Sequence, residues 1–445
     1  MPTMTSLEVE ERADGHQIWR LHAVVEACLL FLVSGCGETL NECEALVLAE
    51  CDIREVACQR HYHEVVRCVS GDDQPLPKIE VLTRQQFLLR YTEDPGPVAT
   101  GDVVIIDRAL VLLGLRVPVE GLGGVPSAYY DFERRAVIIT DVDDTRGQLR
   151  TIARAHADTR RGGFLAEVLA SSTTTDASLA LSAAFVGEGI FHGDAAFYKT
   201  HAMADDAFID HLRVNLYYGD EIADAARVAR SPGFDLLFVG SAFHFGYGPD
   251  ATLRAWFTDG DAGVQAAYDP GLTSTAQIIR SDYSPTDAAS DATWPTLPAG
   301  LRYVGQDVFG PWLLHASQIR GLPPLEDAPI TDDIAQIEAT ADAWRGDRVA
   351  VMHHEGLDQV AVVWQVEIDP NSEWAPQPLA VSPSPSSSRR SLAHVTLFVA
   401  DTIELHDTVR AAFTGETDAA MQPRRFAFGA GGRGTGTPDQ SMAKQ

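Results

Sequence analysis

The spacing of apolar and polar positions predicts long helices in the middle of the chain and short strands on either side of them. After about residue 145, apolar residues recur every three to four positions, which is the spacing of one face of a helix. The predicted helices cover residues 148–161, 176–199, 207–218, 250–257, 262–268 and 332–344. We expect the first three to form the centre of the fold.

Short β-branched runs bounded by turn residues predict the strands. These runs lie at residues 103–106, 136–139, 347–351, 359–366 and 394–399. The run at 347–351 is expected to pair with the one at 359–366, and the last run would add a third strand. Between the last two runs, residues 372–391 are rich in Pro and Ser, which predicts an exposed loop.

Changes in composition divide the chain into five segments. Residues 1–36 contain a short apolar run, and residues 37–75 contain most of the cysteines. A helical domain is expected over 76–315 and an α/β portion over 316–428, followed by a Gly-rich polar tail over 429–445 that cannot form a core. The predicted fold class is α+β, with a cysteine-rich helical hairpin before a mainly helical domain that has short strands.

Composition and charge exclude some classes of function. The 445 residues are 45% hydrophobic, which is enough for a sizeable core. The 34 Lys and Arg against 63 Asp and Glu give a formal charge of -29, which repels nucleic acid and anionic lipid. No apolar run approaches the roughly 18–20 residues of a spanning helix. We therefore expect no nucleic-acid partner and no ordinary transmembrane helix.

The six cysteines all lie in the first 68 residues, and this uneven placement needs a local cause. Residues 27–36 have the sequence ACLLFLVSGC, which resembles a bacterial lipoprotein signal with Cys36 as the lipidated residue. His22 and Glu26 interrupt the apolar stretch, and acidic residues stand where a basic region is expected, so an ordinary buried helix is the alternative. The resemblance implies an exported protein of the cell envelope, held to the membrane by a lipid anchor only.

Export also accounts for the other four cysteines, because an even set in an oxidising compartment implies two disulfides. The set consists of Cys43, Cys51, Cys58 and Cys68. Residues 38–69 have helical composition with a possible turn near residue 53, so a hairpin would nest Cys51–Cys58 inside Cys43–Cys68. Cysteines eight residues apart on one continuous helix lie about 12 Å apart, too far for a disulfide bond, which disfavours the pair Cys43–Cys51. A zinc site with His61 and His63 is the alternative.

Two consecutive predicted helices carry a resemblance to a peptidase family. Residues 151–160 have the sequence TIARAHADTR, and residues 184–189 have the sequence AFVGEG, which contains Glu188. These stretches are similar to gluzincin-type zinc peptidases, in which H-E-x-x-H on one helix and a glutamate on the next bind zinc. Residues 272–283, 303–310 and 343–348 look like later family segments, so the resemblance covers roughly residues 145–370.

The chemical positions of the family depart from its pattern in this chain. When His156 is aligned with the second histidine, Ile152 replaces the first histidine and Ala153 replaces the catalytic glutamate. When the alignment slides by two residues, Arg154, Ala155 and Asp158 take the three positions instead. In both cases alanine replaces the general base and the first zinc histidine is missing, so water activation has no proton acceptor. In a later segment, Ala276 and Arg280 replace a glutamate and a histidine.

The resemblance implies a non-catalytic, metallopeptidase-like envelope lipoprotein with a binding or scaffolding role and an unknown protein or peptide partner. His156, Glu188 and Arg154 would form the vestigial site, with His156 close to Glu188 and with Arg154 or His156 neutralising the buried acid. At most two ligands remain, so we expect no cofactor and weak or no zinc binding. His156 and Glu188 could also be purely structural. The alternative function is an active zinc peptidase or hydrolase whose ligands come from outside the motif.

Overall fold

The computed structural model describes residues 41–92, 102–113, 115, 127–142, 144–163, 172, 174–231, 236–268, 271–284, 294–319, 330–372, 386–390 and 394–414. The predicted signal region with Cys36 and the predicted tail at 429–445 lie outside these residues. Helices and strands both occur, and the strands form two sheets. The α+β class is confirmed at this level.

The elements follow one another in three groups along the chain. The first group contains α1 (Glu42–Ala45), α2 (Val56–Ser70), β1 (Lys78–Leu82), α3 (Arg84–Thr92), α4 (Asp102–Leu112), β2 (Ala128–Asp131) and β3 (Ala136–Thr140). The second contains α5 (Thr145–Arg160), α6 (Thr175–Phe197), α7 (Asp205–Asn215), α8 (Gly219–Arg230), α9 (Leu236–Ala266) and α10 (Thr275–Arg280). The third contains β4 (Leu301–Asp307), α11 (Gly310–Ile319), α12 (Ile330–Ala343), β5 (Trp344–His354), β6 (Gln359–Ile368), β7 (Ser386–Arg390), β8 (His394–Ala400) and α13 (Ile403–Thr414).

Helix α6 is the central helix of the second group and packs along both α5 and α9. Its first turn is capped by Thr174, whose side chain accepts a hydrogen bond from the backbone N–H of Ala177. A side chain at Gly187 would collide with the backbone at Gly248, so glycine allows α6 and α9 to approach closely. The predicted helices at 148–161, 176–199 and 207–218 are confirmed as α5, α6 and α7.

Helix α9 replaces the two short helices predicted at 250–257 and 262–268. It begins earlier, at Leu236, and its helical geometry is interrupted at Asp259 and Gly260. The predicted break between the two helices therefore exists. The start was missed because the first turns of α9 pack into the main core through Val239 and Phe243.

The smaller sheet has the order β1-β3-β2, with β1 parallel and β2 antiparallel to β3. It confirms the strand predicted at 136–139. The strand predicted at 103–106 is wrong, because this run belongs to helix α4. That helix buries Ile105, Ala109 and Leu112 on one face while Val104 stays 47% exposed. Packing of this apolar stripe against β4, β5 and β6 overrides the strand preference of β-branched residues.

The larger sheet is antiparallel and has the order β4-β5-β6-β8-β7. It confirms the three predicted C-terminal strands and the expected pairing of the first two. Both faces are covered: Val362 and Trp364 lie in the main core, whereas Ala361 and Val363 pack with helix α13 on the other side. The predicted loop at 372–391 is wrong for residues 386–390, which form β7 at one edge.

The cysteine-rich segment contains the two predicted disulfides, Cys43–Cys68 and Cys51–Cys58. The pairing excludes a zinc site built on these cysteines. The predicted helical hairpin is wrong in its first arm, because α1 is a single turn and extended chain follows it from Leu46. This extended chain docks on the end of α6, where the N–H of Leu48 donates to the carbonyl of Lys199 at 2.7 Å.

The main hydrophobic core joins helices of the second group to the larger sheet. The predicted boundary at residue 315 therefore falls inside helix α11, within this shared core. A second core joins the disulfide-bonded segment to β2, β3, α5 and α6. Across the described ranges, no helix combines the length and the apolar character needed to cross a membrane.

Candidate functional site

The predicted vestigial site lies where α5 packs along α6, and Glu188 is its most buried acid. The side chain of Glu188 is 0% exposed. Its Oε1 accepts a hydrogen bond from Arg160 Nη1 at 3.2 Å, and its Oε2 lies 2.8 Å from Arg161 Nη2. The hydroxyl of Tyr268 also donates to Oε2, at 2.8 Å. Both carboxylate oxygens are therefore held by cationic and hydrogen-bonding groups.

Arg161, which directly follows α5, connects Glu188 to the end of α9. Its guanidinium carbon lies 3.6 Å from the centre of the Tyr268 ring, in a cation–π contact, and Nη2 reaches Gln265 Oε1 at 3.3 Å. Burial raises the pKa of Tyr268 well above its ordinary value, and the charge of Glu188 acts in the same direction. Tyr268 is therefore a neutral donor to Glu188 at physiological pH.

Arg160 connects Glu188 to a second acid, Asp72, at the end of α2. Its Nε donates to Asp72 Oδ2 at 3.1 Å, and its Nη2 forms an ion pair with the same oxygen. The other oxygen of Asp72 lies 3.5 Å from His156 Nδ1. Although burial acts to raise the pKa of Asp72, the contacts with His156 and Arg160 hold it well below its ordinary value. Asp72 is therefore an anion in the folded protein.

His156 ends the network on its far side against another histidine. Its Nε2 lies 2.9 Å from Nδ1 of His63, and both rings are buried. Burial lowers the pKa of His63 to about 4, and the positive charge that His156 can carry adds to this effect. The chain of contacts therefore runs from Glu188 through Arg160 and Asp72 to His156 and His63. In the described contacts His156 and Glu188 are linked through Arg160 and Asp72.

The identity of the cation that neutralises Glu188 differs from the sequence prediction. The sequence predicts Arg154 or His156 in this role, but Arg160 and Arg161 take it. The reason is helical spacing: residues 154 and 156 are about 200° apart around a helix, whereas residues 156 and 160 share a face. The i,i+4 pair His156 and Arg160 is the signal in the sequence that could have identified Arg160.

A second buried acid on α6, Asp194, was not predicted as a site residue. Arg146 donates to its two oxygens at 2.7 and 2.8 Å, and Arg150 does so at 2.6 and 2.7 Å. Tyr218 also donates to Oδ2, at 3.2 Å. Although burial acts to raise the pKa of Asp194, the arginines lower it below its ordinary value. The repeat of Arg146 and Arg150 at i,i+4 on α5 is the sequence signal for this pairing.

A third polar centre lies at the N-terminus of α6, where the later segments of the family resemblance meet. Asp176 Oδ1 accepts hydrogen bonds from the N–H and the hydroxyl of Thr275, at 2.9 and 2.6 Å. Asp307 accepts from the N–H and the hydroxyl of Thr175, at 2.7 and 2.5 Å. The side chain of Asp176 also contacts Gly310, where a Cβ would collide with it. Residues far apart in sequence therefore converge on the start of α6.

Asp347 belongs to the same centre and is surrounded by four N–H donors. The donors are the backbone N–H groups of Phe309 at 3.1 Å and Gly310 at 3.0 Å, and the indole N–H groups of Trp344 at 3.2 Å and Trp364 at 2.6 Å. Burial raises the pKa of Asp347 to about 7, and the nearby Asp176 adds to the shift. Burial also raises the pKa of Asp176 to about 6. This centre holds acids without any arginine contact among the described hydrogen bonds.

Ala276 and Arg280, which the resemblance sets in place of a glutamate and a histidine, have structural contacts in this chain. Ala276 is fully buried in the main core. Arg280 donates through Nη2 to the carbonyl of Trp344 at 3.2 Å, and its Nε lies 3.4 Å from Asp342. Ala276 therefore contributes to the core, and Arg280 holds α10 against α12 and the start of β5.

Within the described part of the chain, no group of three or more His, Cys, Asp or Glu side chains is arranged to hold a metal ion. Comparisons with protein families, with curated proteins and with solved structures find no match to this chain.

Proposed function

We propose that this chain is a non-catalytic, metallopeptidase-like protein of the cell envelope that binds or scaffolds a protein or peptide partner. One observation carries the proposal. Glu188, which stands where the resemblance places a zinc ligand, is buried with Arg160 and Arg161 on its two oxygens. A guanidinium group thus supplies the positive charge that a zinc ion would supply in an active relative.

The two arginines disfavour a metal at this position for an electrostatic reason. A divalent cation next to Glu188 would lie close to two buried guanidinium groups, and like charges repel strongly where water is excluded. Arg160 is also held by Asp72, so it cannot turn away without losing its ion pair with that acid as well. The position of the catalytic base is an alanine, Ala153 or Ala155, which has no proton acceptor.

Export is supported by the two disulfides, because disulfide bonds persist in oxidising compartments. We propose that the chain reaches such a compartment as a lipoprotein with a lipid-modified Cys36. Mass analysis of protein from the native host should give a mature N-terminus at Cys36 that carries lipid. An intact Met1 would contradict lipidation without affecting the disulfides.

The test of the inactive site combines metal content with peptidase activity on the full-length protein. We expect well below one equivalent of zinc after purification without chelators, and no hydrolysis of a generic casein substrate with or without added zinc. The matched variants are Glu188→Gln and Asp194→Asn, which each neutralise a buried acid on α6 that two arginines of the α5 region hold. Neither should change the zinc content.

The alternative function, an active zinc peptidase with other ligands, predicts a different pattern. It requires one equivalent of zinc and proteolysis that Glu188→Gln abolishes while Asp194→Asn retains. That result would overturn the proposal, because a loss of fold alone would affect both variants.

A further inference from the structure

Arg154 differs from the other arginines of α5 because it has no carboxylate partner among the described residues. Arg146 and Arg150 hold Asp194, and Arg160 holds Glu188 and Asp72. The Nε atom of Arg154 is buried and makes no hydrogen bond with any residue that the structure describes. A partly buried cation without an anionic partner is less favourable than a paired one.

The surroundings of Arg154 hold it in one place rather than releasing it to solvent. Its stem passes over Gly189, where any side chain would collide with Cγ of Arg154. Its guanidinium carbon lies 5.7 Å from the centre of the Phe245 ring on α9. Burial lowers the pKa of Arg154 to about 10, and the neighbouring Arg150 contributes to this. Even so, Arg154 carries its charge at physiological pH.

His244, the residue before Phe245 on α9, has a second unsatisfied nitrogen. Its Nε2 is buried and has no hydrogen-bond partner among the described residues. Burial lowers the pKa of His244 to about 4, and the charge of Arg154 adds to the effect, so the ring is neutral at physiological pH. In the tautomer with hydrogen on Nε2, His244 is a neutral hydrogen-bond donor.

Solvent reaches part of this site. Phe245 is 47% exposed, and Arg154 as a whole is only partly buried. One full positive charge, a neutral donor and an exposed aromatic ring suit a monoanion that has an apolar group beside it. A phosphate group, with up to two charges, would need more than one cation here.

We propose that Arg154, His244 and Phe245 form a binding site for a carboxylate with an adjoining apolar group, the chemistry of a C-terminal peptide residue. The guanidinium group would bind the carboxylate, His244 would donate to one of its oxygens, and Phe245 would pack against the apolar group. Arg154 faces away from His156 on α5, so this site is separate from the one that contains Glu188. The inference does not depend on the proposed loss of catalysis.

The test uses N-acetyl-L-phenylalanine as the probe, with N-acetyl-L-phenylalaninamide, acetate and inorganic phosphate as comparisons, in titrations followed by NMR or calorimetry. We expect saturable binding of the acid, and binding at least about tenfold weaker for the amide, which lacks the charge. Acetate should bind more weakly than the acid because it does not reach Phe245. Phosphate binding that is tighter than the acid and depends on Arg154 would overturn the carboxylate assignment.

The variants place this binding at Arg154. Arg154→Gln should remove binding while raising Tm, because it removes an uncompensated charge. Gly189→Ala should also weaken binding by displacing the arginine stem. The matched control is Arg213→Gln, an exposed arginine paired with Asp210, which should bind the probe as the wild type does. Equal affinity for acid and amide, or unchanged binding in Arg154→Gln, would overturn the proposal, and the acid–amide comparison needs no variant.

Discussion

Helix α6 buries acids in both of its halves, but the surroundings of these acids differ. In the C-terminal half, Glu188 and Asp194 each contact two arginines. At the N-terminus, Asp176 is equally buried, but threonine groups are its hydrogen-bond donors. The helix N-terminus itself favours a negative charge, although only by about 0.3–1 kcal/mol near a surface.

The difference shows that the same helix can hold its acids as anions or as acids that take up a proton near neutral pH. The pKa of Asp194 is lowered, whereas that of Asp176 is raised to about 6 and that of Asp347 to about 7. Removing a charge should therefore have opposite effects in the two halves. Removing the charge of Glu188 or Asp194 leaves arginines without their anion, which lowers stability. Removing the charge of Asp176 removes a buried charge that has no cationic partner in the described contacts, which raises stability.

The largest effect is expected for Asp194→Ala, which leaves two guanidinium groups without their anion. We predict a loss of about 3 kcal/mol in the free energy of unfolding, measured by denaturant unfolding monitored by circular dichroism. The value stands at the low end for a broken buried pair because Arg146 and Arg150 keep 38% and 25% side-chain exposure. A loss below about 0.5 kcal/mol, the size of a surface effect, would contradict the claim that this pair anchors α5 to α6.

The next effect is expected for Glu188→Gln, which keeps the shape of the side chain but removes its charge. We predict a loss of about 2 kcal/mol in the free energy of unfolding, because hydrogen bonds to charged groups contribute about 1.5–3 kcal/mol. The loss is smaller than that at Asp194 because Asp72 still neutralises Arg160. An increase in stability would contradict the claim that the acids with arginine partners stabilise the fold through their charge.

Removing the charge of Asp176, at the N-terminus of α6, should increase the free energy of unfolding. For Asp176→Asn we predict a gain on the order of 1–2 kcal/mol at pH 8, below the roughly 3 kcal/mol that the change in pKa corresponds to. The gain is reduced because Oδ2 of Asp176 has no hydrogen-bond partner in the described part of the chain, so the amide nitrogen would meet no acceptor from those residues. The matched control, Asp347→Asn, should lose stability, since its amide nitrogen would face N–H donors. A loss of stability in Asp176→Asn at pH 8 would contradict the prediction.

The pH dependence of the same variant gives a second measurement. Between about pH 4 and 6 the folded chain retains a proton on Asp176 that the unfolded chain has released, so raising the pH through this window lowers stability. Three buried histidines with lowered pKa values, His63, His244 and His315, act in the opposite direction over a similar window. The readout is therefore the difference between variant and wild type, which should favour the variant increasingly up to about pH 6 and then level off.

The smallest effect sets the baseline for the comparison. Asp210→Asn removes one member of an exposed pair with Arg213, in which the side chains are 75% and 55% exposed. We predict a change within about 0.5 kcal/mol. A change as large as that at Glu188 would mean that burial does not explain the ranking.

The sequence can predict a contact of the site only where both residues lie on the same helix. The position of His156 and Arg160 on one helix face follows from their spacing alone. The same spacing favours Arg160 over Arg154 as the partner of Glu188. The contact of Asp72 with Arg160, by contrast, joins the end of α2 to α5 across 88 positions. No local pattern encodes which of the many acids reaches which arginine.

The sequence by itself determined the features that depend on short-range geometry. Apolar spacing gave the central helices, and the reach of a disulfide within a short segment favoured the pairs Cys43–Cys68 and Cys51–Cys58. The tertiary structure decided the features that depend on packing between distant segments. Packing makes the β-branched run at 103–106 part of helix α4. It also pairs Glu188 with Arg160 and Arg161, and it places Asp347 near the start of α6. The pKa of an acid and the identity of its partner both depend on which groups surround it, and these surroundings form only when distant segments of the chain pack together.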